Sequence, residues 1–267
     1  MTLTFEKNTF KKRIKSMLGV DFRRMLVSPV FYIMVGASLI MPILILVMTG
    51  MMDGMVSVDP QTGAETVMEG FKNVWQIIGS VQSGNQTMSM DITSMCNINM
   101  MYFATAILIC LFIGQDFRSG YCKNLFTVRS NKVDYVISKT LVGFIGGAFM
   151  IIAFFLGMIL GGTISGVSFE MKDVTTTNII MCLLSKIFLV LVFDSIFVLM
   201  SIIAKEKIWL SLVVGLGAGM LLFMMVPIIT PLNSGFINII LTFIGGGLFS
   251  LGLGAISNIV LKKTNLI

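Results

Sequence analysis

The chain has no histidine among its 267 residues. That removes the commonest general base, metal ligand and near-neutral pH switch. Its four cysteines, Cys96, Cys110, Cys122 and Cys182, are scattered without a Cys-x-x-Cys spacing. The sequence therefore predicts unpaired thiols, with no disulfide framework and no metal site. No Gly-x-x-x-x-Gly-Lys-Ser/Thr run occurs, and no glycine is followed by lysine. A phosphate-cradling P-loop is excluded. No catalytic dyad or nucleophile elbow is visible. Charge is scarce as well, at 12% of residues, where soluble domains carry about 25%. Hydrophobic residues make up 56%, and the mean hydropathy is +0.95. These values describe an integral membrane protein, all-α in class, because only helices and closed barrels satisfy the backbone in lipid. The net charge of +6 does not point to nucleic acid, since the bases cluster where membrane flanks are expected.

Apolar runs long enough for the ~30 Å hydrocarbon core fall at about 27–51, 97–115, 140–164, 178–203, 208–226 and 236–261, which predicts six spans. Residues 1–26 form a separate segment, in which Phe10, Ile14, Met17, Leu18 and Met25 recur at helical spacing among seven bases. This predicts an amphipathic helix on the cytoplasmic membrane face, the other reading being a basic tail that only sets topology. The long basic segment before Val27 leads us to expect no cleavable signal. Pro42 lies inside the first span and is expected to kink it. Residues 52–95 read as an outer loop, with a turn at Asp59–Gly63 and a short interfacial helix near Phe71–Ile78 anchored by Trp75. Pro227 to Gly235 interrupts the apolar signal without any charge and can dip back into the outer leaflet as a re-entrant segment.

Sixteen of the nineteen Lys and Arg residues fall in the four segments that six spans place on one side. Two, Lys72 and Lys172, fall on the other, and Lys186 lies within a span. Loops rich in Lys and Arg stay cytoplasmic, so both termini are predicted inside. The loop 116–139, with Arg118, Lys123, Arg129, Lys132 and Lys139, is then the place for a cytoplasmic partner to dock. Lys186 and Asp194 are costly in a span. They read either as polar groups of a translocation path or subunit interface, or as groups buried against other helices. Gly143/Gly147, Gly157/Gly161 and Gly215/Gly219 are Gly-x-x-x-Gly pairs that predict close helix approach. The 23 methionines suit either a conduit for hydrophobic cargo or gap-filling in lipid-facing helices.

The loop also carries a motif. Asp116-Phe117-Arg118-Ser-Gly120-Tyr121 and Ser130-Asn-Lys132-Val-Asp-Tyr135-Val-Ile-Ser138-Lys139, with the basic first helix, six spans and the Pro-containing break, resemble an ABC type-2 (ABCG-like) exporter permease. Asp116 stands where the family usually has Glu, and Tyr121 where it has Thr. The resemblance covers essentially the whole chain. It implies a bacterial plasma-membrane permease that pairs with two copies of a separate ATPase and with a second permease as a homodimer. Residues 116–134 would be a cytoplasmic coupling helix, with Asp116, Phe117, Arg118, Gly120, Tyr121, Arg129, Lys132 and Tyr135 carrying the ATPase contact. ATP and Mg would bind the partner, and this chain would bind no cofactor. The compact permeases it is similar to imply an amphipathic peptide such as a phenol-soluble modulin or lantibiotic as cargo. Small drugs, lipid-linked cargo and ion-coupled transport are the alternatives.

Overall fold

A computed structural model describes residues 10–58, 65–67, 70–79, 97–128, 131–170 and 174–263. Helix α1 is Phe10–Val27, and α2 is Pro29–Met52, with Pro at its first turn, where the missing N–H costs nothing. A small hairpin follows, with β1 (Val56–Val58) antiparallel to β2 (Glu65–Val67). The expected turn at Asp59–Gly63 lies outside the described residues. A 3-10 turn at Ile98–Met100 leads into α3 (Met101–Arg118). Then come α4 (Tyr121–Val128), α5 (Val133–Ser165), α6 (Thr176–Ala204) and α7 (Ile208–Phe223). A single turn, α8 (Val226–Ile229), precedes α9 (Phe236–Lys263).

Five helical segments, α2, Ile98–Arg118, α5, α6 and α9, are long and apolar enough to cross a membrane. The chain is a multi-pass helical membrane protein. The predicted span at 208–226 is shorter than expected: α7 has 16 residues, a rise of ~24 Å.

Helices α5 and α6 are the centre. Helix α2 packs on α5, α9 packs on α6, α1 lies across α5, and α3 and α7 lie against α6. The Gly-x-x-x-Gly pairs mark these seams. Gly157 and Gly161 meet the α2 backbone at Leu39 and Ile43, Gly147 meets Val190 of α6, and Gly215 and Gly219 of α7 meet Phe197. Pro42 sits on the first of these seams, buried against Gly157 and Gly161. Helix α5 is 33 residues long, about 50 Å, so one end projects beyond a ~30 Å hydrocarbon layer.

Three local expectations are corrected. The segment 116–139 has other ends than expected: α3 runs to Arg118 and α5 starts at Val133 rather than Thr140, with α4 at Tyr121–Val128 inside the 116–134 stretch for which a helix was implied. The apolar face of α1 does not lie on lipid: Met17 and Met25 are buried within the protein. The Phe71–Ile78 stretch is not an interfacial helix either. It is one 3-10 turn, Val74–Ile77, capped by Asn73, with Val74, Ile77 and Ile78 fully enclosed. Trp75 Nε1 donates to Phe169 O at 2.7 Å. Val74 and Phe169 crowd the bare Cα of Gly162, so the turn plugs the far end of α5.

Candidate functional site

Along α1, Met17, Asp21 and Met25 follow an i, i+4, i+8 spacing and are all buried. A carboxylate in the middle of an apolar stripe is tolerable only with charged or hydrogen-bonding partners. They come from α5: Lys139 Nζ lies 2.8 Å from Asp21 Oδ1, and Ser138 Oγ donates to Asp21 Oδ2 at 2.7 Å. The same ammonium lies 2.6 Å from Asp116 Oδ2 at the end of α3. Arg24 Nη2 bonds Asp116 Oδ1 at 2.5 Å, with its Nη1 3.6 Å from Asp21 Oδ1. Tyr135 Oη donates to Asp116 Oδ2 at 3.2 Å. Two cations and two carboxylates thus cancel. Phe112 lies 4.0 Å from the Lys139 ammonium, and the Tyr121 ring lies 4.1 Å from Arg24 Cζ. These links tie α1, α3, α4 and α5 at one point.

Two further links flank it. Arg13 Nε donates to Asp134 Oδ2 at 3.0 Å, in the first turn of α5. Lys132 Nζ donates to Leu261 O at 2.6 Å, a cation at the carbonyl end of α9 where the helix dipole favours it. Gly120 connects α3 to α4 at φ 74°, the left-handed region that favours glycine. It is needed for the turn.

Charge and burial set the chemistry of the polar groups. Burial pulls the Arg24 guanidinium down, but the bond to Asp116 and its charge more than offset this, leaving it above its ordinary value. Burial, with Asp21 next in size, pushes the Tyr121 phenol up. Burial also pushes the Cys122 thiol up to about 12, although its hydrogen bond with Tyr135 Oη opposes the shift. The thiolate is the reactive form, so Cys122 is expected to resist a membrane-permeant maleimide at pH 8 and to react once the chain is denatured. Rapid alkylation of native protein at Cys122, mapped by peptide mass, would contradict this enclosure. The linkage has one sign: below the ordinary thiol value folded and unfolded chains both keep the proton. As pH rises from there towards 12 the unfolded chain loses it first and stability falls.

The predicted site residues divide by exposure. Asp116, Phe117 and Tyr135 are buried, while Gly120, Tyr121 and Lys132 are half-buried. Arg118 is exposed, together with Lys123, Asn124 and Thr127 on the outer side of α4. Arg129 lies outside the described residues. The expected direct contact is therefore corrected for Asp116, Phe117 and Tyr135, which are enclosed within the chain. Sequence reasoning missed Asp21, Arg24 and Asp134. The readable signal for the first was an acidic residue in line with two apolar ones on a basic helix.

Lys186 and Asp194 are both enclosed within the chain and reach no surface that a cargo or a second copy could touch. Lys186 does not reach outward to a membrane surface. Its Nζ donates to Asn99 Oδ1 at 2.7 Å and to Thr230 Oγ1 at 3.0 Å, and Tyr102 Oη donates to its carbonyl at 3.0 Å. Asp194 is 2.2 Å from where a Cβ on Gly143 would stand. A buried ammonium with only neutral acceptors on it contributes little to stability. Lys186→Met is expected to melt at or above wild type, whereas Asn99→Leu should cost ~1.5–3 kcal/mol, the worth of a bond to a charged donor. Denaturant titration in detergent compares them, and a large loss for Lys186→Met alone would overturn the assignment. Among the described residues no His, Cys, Asp and Glu group of three or more could hold a metal ion. No protein-family model matches the chain, and comparison with curated proteins and with solved structures yields no match.

Proposed function

We propose that the chain is the membrane-spanning permease subunit of an ATP-driven ABC type-2 exporter. The observation that carries this reading is the seating of α4. Its inner side rests on the ion network, and Arg118, Lys123, Asn124 and Thr127 face outward. Buried charge-assisted bonds are short and directional, so a push on the outer side of α4 passes to α1, α3 and α5 together. The chain has no phosphate loop of its own, and energy would enter through that contact. Two copies of a separate ATPase, binding ATP and Mg, dock on α4, and a second copy of this chain completes the pathway.

In this reading α4 and both termini are cytoplasmic, in a bacterial plasma membrane, as the placing of the bases favours. Helix α7 counts as a sixth span, completed by α8. The Pro227–Gly235 segment forms an outer re-entrant element, with Thr230 N donating to Val226 O and Asn178 Nδ2 to Ser234 O. The cargo is a hydrophobic or amphipathic peptide; small drugs and lipid-linked cargo are the other classes open to such a path.

Co-purification from the native membrane in mild detergent tests this. Wild type should bring down a stoichiometric ATPase whose activity rises with amphipathic peptide. Arg118→Glu with Lys123→Glu, on exposed positions, should lose it while melting as wild type does. Absence of any ATPase from the wild-type preparation would sink the exporter reading and leave ion-coupled transport to be tested.

A further inference from the structure

The apolar face of α1 is spent on protein, with Met17 and Met25 buried at about 2% exposure. The opposite face is open. Lys12, Ser16, Gly19 and Arg23 follow an i, i+4, i+7, i+11 spacing, with Lys15 and Val20 beside them, and line a shallow groove of about 520 Å³. Gly19 is its floor: a side chain there would meet nothing within 4 Å. Lys15 and Arg23 are exposed along it, separated by ~12 Å of helix. Arg23 is six residues before Pro29, where the spanning helix α2 begins, which puts the Arg23 end of the groove next to the start of a span.

We propose that this groove is a binding site for the headgroup of an anionic phospholipid. Charge complementarity selects the occupant. Among the described residues, Lys15 and Arg23 line the groove together with Lys12, which has a contact of its own, and no acidic residue lines it. Each Lys or Arg near an anionic leaflet is worth about 1 kcal/mol, so the groove prefers an anionic headgroup over a zwitterionic one. The acyl chains stay in the bilayer beside α2, because α1 has no free apolar stripe to insert. The proposal depends on the membrane-spanning character of the chain and not on the exporter reading.

Native mass spectrometry of the full chain in detergent, titrated with phosphatidylglycerol or phosphatidylcholine, tests it. Wild type should retain phosphatidylglycerol preferentially, and inorganic phosphate should not displace it. Lys15→Gln with Arg23→Gln should weaken retention roughly thirtyfold. Gly19→Leu, which fills the groove without changing charge, should also weaken it. Lys262→Gln with Lys263→Gln, basic residues at the end of α9, should leave it as it is. Equal retention of the two lipids, wild-type retention by the Lys15/Arg23 variant or by Gly19→Leu, an equal loss in the Lys262/Lys263 variant, or displacement by free phosphate would each overturn the assignment.

Discussion

Replacing Lys139 with methionine is expected to destabilise the folded chain by ~3–5 kcal/mol, the cost of leaving buried charge uncompensated. Lys139 is fully enclosed and touches Asp21 and Asp116 at 2.8 and 2.6 Å. Without it two buried carboxylates share a single cation in this network, Arg24, whose side chain is about a third exposed. Methionine keeps the length and apolar stem, so packing against Phe112 is largely preserved and the loss reports the charge. Adding Asp116→Leu should recover a substantial part of it, because Asp21 and Arg24 then remain as a balanced pair. Residues in one ion network couple in this way, by ~0.5–3 kcal/mol in a double-mutant cycle. Denaturant unfolding in detergent reads all four corners of the cycle. The exposed Lys123→Met is the control and should stay within ~0.5 kcal/mol of wild type. Equal stabilities for the Lys139 and Lys123 variants would show that the network carries no weight. On the proposed function, Lys139→Met should also weaken ATPase co-purification, since α4 loses the support beneath Asp116 and Tyr121.

Gly157→Leu should disrupt the α2–α5 seam outright, and Gly157→Ala should already cost at the upper end of the ~1–3 kcal/mol typical of overpacking. A Cβ at Gly157 would lie 2.0 Å from the Leu39 carbonyl oxygen and 2.8 Å from Pro42 Cγ. The obstacle is backbone and a proline ring, neither of which can swing aside, so the helices themselves must part. Four residues on, a Cβ at Gly161 would stand 2.9 Å from Ile43 Cα, and both turns of the seam are closed to side chains. A glycine Cα against a helix carbonyl is the setting in which Cα–H···O contacts recur. The controls are in α9, where Gly245 and Gly252 have nothing within 4 Å. Alanine there should be neutral or gain up to ~1 kcal/mol of helix propensity. Cross-linking of cysteine pairs placed across α2 and α5 would follow the separation directly. Retention of the wild-type pattern in Gly157→Leu would contradict the packing.

Helices read from hydropathy lie close to where they form, because burial of an apolar stretch in lipid is a local property. The predicted span 178–203 became α6 at Thr176–Ala204, and 236–261 became α9 at Phe236–Lys263. The Gly-x-x-x-Gly pairs were likewise legible as seams, since close helix approach requires small residues wherever it occurs. Boundaries failed where polar residues belong to a helix: Val133–Lys139 carries Asp134 and Lys139, and hydropathy assigned it to a loop. The candidate site was half legible. Asp116, Tyr121 and Tyr135 could be picked from the loop, but their burial could not. Lys139 meets a carboxylate 118 positions away, and Lys186 meets Asn99 and Thr230 at separations of 87 and 44. Such pairs form only after the helices have packed, because packing alone sets which polar groups lose water and which partners lie within 3 Å. By itself the sequence determined that the chain lives in a membrane, roughly where it crosses, and that it carries no P-loop motif. Only the tertiary structure decided that the charges of α1 and the 116–139 segment are divided between a buried, neutralised network and an exposed basic surface, since desolvation is a property of the packed helices.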